Sequence, residues 1–113
     1  MENTRQEKIS RLLQKDLGEL LRVDARGIMM GAMVTVTKVT VSRDFSSAKV
    51  YLSVFGSKDK ELLFKNIEKR KSDIRFKLGQ KVRHQLRIIP NLYFYEDDSL
   101  DYIENIDRLL NED

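Results

Sequence analysis

Apolar residues recur with helical spacing at Ile9, Leu12, Leu13, Leu17, Leu20 and Leu21, which predicts an amphipathic first helix. Thr4 opens it, and Glu7 three residues later completes a capping-box pattern. Arg5, Lys8, Arg11, Lys15 and Glu19 fall mostly outside the apolar face, so the helix reads as core-facing, with nothing that requires a special role. Asp24 to Gly31 is a connector with two glycines. Met33 to Ser42 is dense in β-branched residues and predicts a strand. Its alternation changes phase, Val34 and Val36 being even and Val39 and Val41 odd. Such a shift implies either a bulge or a strand buried on both sides. Arg43 to Ser47 is the turn. Ala48, Val50, Leu52 and Val54 then alternate with Lys49, Tyr51 and Ser53 in a second strand with one wet face, ended by Gly56.

A second helix starts near Ser57 and carries Leu63, Ile67, Ile74 and Leu78 on one stripe, at about 100° per residue. Past Gly79 the same count carries Val82, Leu86 and Ile89 off that line. A break at or near Gly79 brings them back, and glycine is the residue that bends most cheaply. The expectation is a long helix, a kink at Gly79, and a short helix ending before Pro90, since the residue before proline disfavours helix. Leu92 to Tyr95 predicts a third strand. Asp98 or Ser99 caps a last helix that turns Leu100, Ile103, Ile106, Leu109 and Leu110 inward, its acidic first turn suiting the positive end of the helix dipole. The fold class is α+β. One domain spans residues 1–113, with 97–113 as an acidic C-terminal extension, and there are no repeats or low-complexity segments.

At 113 residues the chain can bury one real core but not two. It is 41% apolar and 35% charged, which suits a soluble globular domain. The absence of cysteine excludes disulfides, thiolate zinc sites and a cysteine nucleophile. The first residues lack the apolar stretch of a signal peptide, and the longest nearly apolar run, Gly27 to Val34, is too short to span a bilayer. We therefore expect a cytoplasmic protein with no membrane partner. The net charge of +3 hides a sorting of signs. Lys65 to Arg87 carries nine Lys or Arg against only Glu68 and Asp73, a local +7; Ile88 to Asp113 carries eight Asp or Glu against only Arg108, a local −7. A solvated helix face usually mixes both signs. A concentrated positive block is what a phosphate backbone attracts, because each neutralised phosphate releases a counterion. Nucleic-acid binding is the leading class.

Within that block Lys71 and Arg75 flank one side of the apolar stripe and Arg70 and Lys77 the other, while Lys65, Lys69 and Phe76 point away. Long cations often just lay their stems over the core edge, but for the cluster as a whole we read phosphate contacts. Phe76 could stack on a base if exposed. A kink earlier than Gly79 would turn it inward, and burial is the reading we expect. His84, the one histidine, has no second histidine or cysteine to share a metal and reads as a packing or surface residue. Asp97-Asp98-Ser99-Leu100-Asp101 matches a DDxxD pattern for magnesium diphosphate, but such sites belong to large all-helical folds, so it reads as a helix cap. There is no Gly-x-x-Gly loop and no P-loop.

Val34-Thr35-Val36-Thr37-Lys38-Val39-Thr40-Val41-Ser42-Arg43-Asp44 and Ala48-Lys49-Val50-Tyr51 resemble the first two strands and turn of the bacterial ribosome-binding factor A family. Pro90-Asn91-Leu92-Tyr93-Phe94 and Asp97-Asp98-Ser99-Leu100-Asp101 resemble its third strand and the acidic turn after it, and Arg83 and Arg87 lie in the basic helix before the proline. The resemblance covers nearly the whole chain. It implies a type II KH-like, RNA-binding domain with three strands, helices on one side, and an Ala-x-Gly kink in place of Gly-x-x-Gly. Lys77-Leu78-Gly79 is the candidate for that triplet, with Lys where Ala is expected; Ser72-Asp73 is the alternative place for the kink. The implied function is non-catalytic: binding the free or immature small (30S) subunit, assisting late assembly and 16S rRNA maturation, with a link to cold adaptation. The partners expected are the small subunit, its 16S rRNA and small-subunit proteins, engaged by a monomer without cofactor or metal. The RNA contacts expected are Arg43, Lys69, Arg70, Lys71, Arg75, Lys77, Lys81, Arg83 and Arg87. Two other classes compete: a metal-dependent nuclease using Asp97, Asp98 and Asp101, and a protein–protein adaptor acting through the acidic C-terminal helix.

Overall fold

The computed structural model describes residues 4–23, 27 and 31–97. The chain runs α1 (Thr4–Val23), β1 (Met33–Val41), β2 (Ser47–Phe55), α2 (Lys60–Lys69), α3 (Lys71–Val82) and β3 (Asn91–Glu96). The central strand β2 pairs antiparallel with β1 and parallel with β3. An antiparallel pair closes through a tight turn, but a parallel pair needs a crossover, and α2 with α3 supply it. The alternating residues Ala48, Val50, Leu52 and Val54 of β2 are buried, as are Val39 and Val41 of β1 and Leu92 of β3, in one core with the leucines of α1 and with Leu63, Ile67, Ile74, Leu78 and Val82. The other sheet face leaves Met33, Phe55, Tyr93 and Tyr95 exposed. No helix among the described residues is long and apolar enough to cross a membrane.

The phase change in β1 is a bulge. The register slips between Val36 and Lys38, so Thr37 is the extra residue. Its hydroxyl donates to Asp97 Oδ2 at 2.6 Å, and the Asp97 N–H donates to the Leu52 carbonyl at 2.8 Å. The bulge thereby fastens the chain where it leaves β3. Residues 98–113, with the predicted last helix and the rest of the acidic segment, lie outside the described residues.

Helix α1 does more than bury leucines. An edge strand such as β1 presents unpaired N–H and C=O groups along its free side. Gln6, Ser10 and Gln14, spaced four residues apart, cover them: Gln6 Nε2 donates to the Val41 carbonyl at 3.1 Å, the Val41 N–H donates to Ser10 Oγ at 3.3 Å, and Gln14 Nε2 donates to the Thr37 carbonyl at 3.3 Å.

The crossover departs from the sequence expectation. Helix α2 begins at Lys60 rather than near Ser57, capped by Asp59, whose carboxylate accepts from Leu62 N–H at 3.0 Å while its own N–H donates to Ser57 Oγ. The kink expected at Gly79 is instead a break at Arg70. Arg70 has φ −99° and ψ 8°; its N–H donates to the Asn66 and Ile67 carbonyls and its carbonyl accepts from Ile74 N–H, so one residue closes α2 and opens α3. Gly79 lies inside α3 and matters for another reason. A Cβ there would stand 3.3 Å from Cγ1 of Ile89, so glycine lets the chain before Pro90 lie close against the helix. Nor is there a short helix before Pro90. The chain leaves α3 at Val82, where Gln85 and Leu86 N–H groups close back on the Val82 carbonyl, and that turn returns Leu86 to the core.

Replacing Ser10 by Ala strands the N–H of Val41, a buried residue, without its partner. We expect a loss of about 1–3 kcal/mol in urea unfolding, whereas Lys8→Ala on the exposed side of α1 should change stability by less than about 0.5 kcal/mol.

Candidate nucleic-acid interface

The break at Arg70 and the exit at Val82 divide the predicted cationic block into unlike parts. Four of its nine cations are matched nearby: Lys65 by Glu61 at 3.7 Å, Lys71 by Glu68 at 3.1 Å, Lys77 by Asp73 at 3.5 Å and Lys81 by Glu19 of α1 at 3.8 Å. Lys71 Nζ also stands 5.1 Å from the centroid of the Tyr93 ring, a cation–π contact. These pairs lie at the surface and add little stability, but they dilute the positive field along the middle of α3. Lys69, Arg70, Arg83 and Arg87 are exposed and have no acidic partner among the described residues. They lie beyond the two ends of α3, a 12-residue helix about 18 Å long at 1.5 Å per residue. Arg83 and Arg87 are not in a helix as expected. Arg83 is the C-cap of α3, and Arg87 lies in the bend beyond it.

Arg75 has a role the sequence reading did not assign. Its Nε donates to the Pro90 carbonyl at 3.1 Å and its Nη2 donates to the Ile89 carbonyl. The planar fork spans two successive carbonyls in a segment with no regular structure, and so holds the entry to β3 against α3. Its guanidinium is thus first a brace for the interface wall.

Arg43 sits on the β1–β2 turn, beside that wall, since the Asn91 N–H donates to the Ser46 carbonyl. The turn is tightly specified. Phe45 adopts φ 60°, a left-handed conformation that costs a bulky residue free energy unless its surroundings hold it. Asp44 Oδ1 accepts from the Ser46 hydroxyl at 2.7 Å, the Ser42 hydroxyl at 2.8 Å and the Ser46 N–H at 3.1 Å, and these donors lower its carboxyl pKa to about 2. Arg5 of α1 stacks over the Phe45 ring, 5.2 Å from its centroid, and so joins Arg43 at the β1–β2 turn. Sequence spacing could not find Arg5, because nothing local links the first helix to this turn.

Two grooves follow the wall. One, of about 460 Å³, runs between α3 and Ile89 and is lined by Ser72, Phe76, Gln80 and Arg83. The other, of about 440 Å³, runs between α3 and β3 past Lys71, Asn91 and Tyr93; Ser72 and Arg75 line both. Phe76, expected in the core, is 65% exposed in the first groove. The break at Arg70 leaves Ile74, Leu78 and Val82 facing inward and Phe76 outward. His84 is exposed. Among the described residues no group of three or more His, Asp or Glu side chains could hold a metal ion.

The order helix–strand–strand–helix–helix–strand, with the helix break beside an exposed basic surface, defines a type II KH-like domain. Arg70-Lys71-Ser72, not Lys77-Leu78-Gly79, stands where the Ala-x-Gly kink is implied. The sequence model of the ribosome-binding factor A family matches residues 5–110, and the chain belongs to that family. Ribosome-binding factor A of Christiangramia forsetii is 46% identical over 108 residues, 95% of this chain and 82% of that protein. The crystal structure of ribosome-binding factor A from Thermus thermophilus superposes with TM-score 0.69 at 21% identity, covering 80% of this chain and 94% of that one. A homology model of the Thermus thermophilus protein, fitted into a cryo-electron microscopy map of its complex with the 30S subunit, gives TM-score 0.65 at 22% identity over 79% of this chain and 91% of that one.

Two outcomes follow from this geometry. Arg75→Ala should destabilise the protein by about 1.5–3 kcal/mol, the range for hydrogen bonds to a charged group, and Arg75→Lys should not restore it, because one ammonium cannot span both carbonyls; chemical denaturation reads both. Because the folded pKa of Asp44 is depressed, its contribution is complete above the ordinary carboxylate value and is lost as pH falls through about 2. Amide exchange at Ser46 should therefore stay slow down to about pH 3 and accelerate below it, whereas Asp44→Ala should accelerate it already at neutral pH.

Proposed function

We propose that this protein is a non-catalytic assembly factor that binds the free or immature small ribosomal subunit and assists late maturation of its 16S rRNA. The observation that carries this is a set of exposed cations with no acidic partner among the described residues, Lys69 and Arg70 at one end of α3 and Arg83 and Arg87 at the other. They stand on a fold whose Thermus thermophilus relative has been fitted into a 30S complex. Arg43 and Arg5 add two cations at the β1–β2 turn. Two cationic ends about 18 Å apart suit a folded RNA, whose phosphates can meet both at once, better than a single small anion. Lys71, Lys77 and Lys81 take a lesser part, since each must leave a carboxylate to bind a phosphate. The work is recognition rather than turnover, and the protein acts in the cytoplasm as a monomer.

Binding of the purified protein to small subunits should weaken steeply between low and moderate salt. Reversing Lys69 and Arg70, or Arg83 and Arg87, to Glu should abolish cosedimentation while the protein stays folded, the first pair raising the unfolding midpoint slightly and the second lowering it. Reversing the paired Lys65 and Lys77 should weaken it far less. Each lost phosphate contact should lower the salt slope by about one. A flat salt response, or association that survives both reversals, would mean that protein contacts carry the interaction.

A further inference from the structure

We infer that the groove between α3 and Ile89 seats one unpaired, unstacked base of an RNA strand, with Phe76 as its platform. This rests on the reading above that the surface binds RNA, and it specifies what part of an RNA the surface takes. A single exposed apolar side chain is ordinary and needs no explanation. Phe76 is not isolated: it lines a groove of about 460 Å³, within the size range of about 300–1,000 Å³ typical of small-ligand sites.

The lining fits a nucleotide. Ser72, Phe76, Gln80 and Arg83 fall on one stripe of α3, which offers a hydroxyl, a ring, an amide and a guanidinium in sequence along the helix. A ring stacks on any base, an amide can hydrogen-bond a base edge, and a guanidinium holds the adjoining phosphate. Among the described residues no carboxylate lines the groove. Its far wall is fixed in advance, because Arg75 holds the Ile89 and Pro90 carbonyls and Gly79 admits the Ile89 side chain without a Cβ in its way. A duplex keeps its base faces stacked on one another, so only a base outside a helix can present a face to Phe76. Ser72 and Arg75 also line the second groove beside β3, where Lys71 and Tyr93 meet; Glu68 lines that groove too, so the first groove is the better seat for a base and its phosphate.

The test is fluorescence anisotropy at fixed salt with a short unstructured oligoribonucleotide and an RNA duplex of equal length. The proteins are the wild type, Phe76→Ala, Phe76→Tyr and the Lys69→Glu/Arg70→Glu pair. Phe76→Ala should weaken single-strand binding about tenfold, within the range of base–aromatic stacking, and leave duplex binding and the salt slope unchanged. Phe76→Tyr should bind as the wild type does. Phe76 is exposed, so matched thermal midpoints will confirm that its variants fold. If Phe76→Ala binds the single strand normally while Lys69→Glu/Arg70→Glu does not, the RNA-binding surface stands and the base seat falls. If the wild type binds neither RNA, both readings fall together. If Phe76→Ala keeps RNA binding but loses purified small subunits, the groove holds an apolar side chain of a subunit protein and the base seat is overturned.

Discussion

The parallel pairing of β2 with β3 is the constraint on which the rest of the structure depends. Ser47 lies opposite Asn91 and Leu52 opposite Glu96, so the chain must travel from Phe55 back to the other end of the sheet before β3 can begin. A single straight helix does not do this. The chain instead passes through α2, breaks at Arg70, continues through α3 and covers the last stretch, residues 83–90, without helix or strand. That stretch would be poorly held on its own. Arg75 fixes it by its two carbonyl contacts, Gly79 gives it room, and Leu86 roots it in the core. The basic surface is therefore a consequence of the crossover: its exposed cations lie where the path breaks or leaves a helix.

The first half of the chain solves a different problem, that of a sheet with a free edge. The polar stripe Gln6, Ser10, Gln14 of α1 closes the outer side of β1 while the neighbouring leucines of the same helix fill the core. One helix thus serves both the hydrogen-bonding and the apolar needs of the sheet. The bulge at Thr37 connects this half to the second, since its hydroxyl reaches Asp97 as the chain leaves β3. Lys60 of α2 and Glu96 of β3, 3.0 Å apart, tie the same end of the sheet to the start of the crossover.

How much of this was legible in the sequence depended on whether the pattern had an unambiguous period. Strict alternation in β2 located that strand, and the switch from even to odd valines in β1 marked either a bulge or a strand buried on both sides, of which the register shift shows the first. The helix break was not legible. Ile67 and Ile74 are seven residues apart, which is almost two full turns of a straight helix, so the stripe runs across Arg70 as if nothing happened there. The drift shows only at Val82 and Leu86, where the chain leaves the helix, and glycine at position 79 drew the break to itself. Phe76 was misplaced for a different reason: an earlier kink was expected to turn it inward, but the break at Arg70 keeps Ile74 and Leu78 on the core side and Phe76 opposite them. Salt bridges and the Arg75 brace were illegible for a simpler one: a count of charges does not say which are matched by Glu19 or Asp73 and which face solvent. The family resemblance supplied the topology, but the interface had to come from the partners of each side chain.

The residues at the start of α3 show why that distinction matters. A helix N-terminus bears partial positive charge, which favours acidic side chains and disfavours cations by about 0.3–1 kcal/mol each. Here the N-cap position is Arg70, which makes no side-chain capping bond, and Lys71 follows it; the acid of the first turn, Asp73, is engaged with Lys77. Local helix energetics argues against this choice, since Ser, Thr, Asp or Asn at the cap would stabilise α3. The C-terminal end is the reverse case, with Lys81 and Arg83 where the dipole welcomes them. Cations at both ends are therefore not a device for stabilising α3. An anion that approaches the break meets the side chains of Lys69 and Arg70 and the uncapped first turn together, which makes a phosphate the group that would offset the cost. On the proposed function the N-terminal end of α3 sacrifices some helix stability for binding, while its C-terminal end satisfies both.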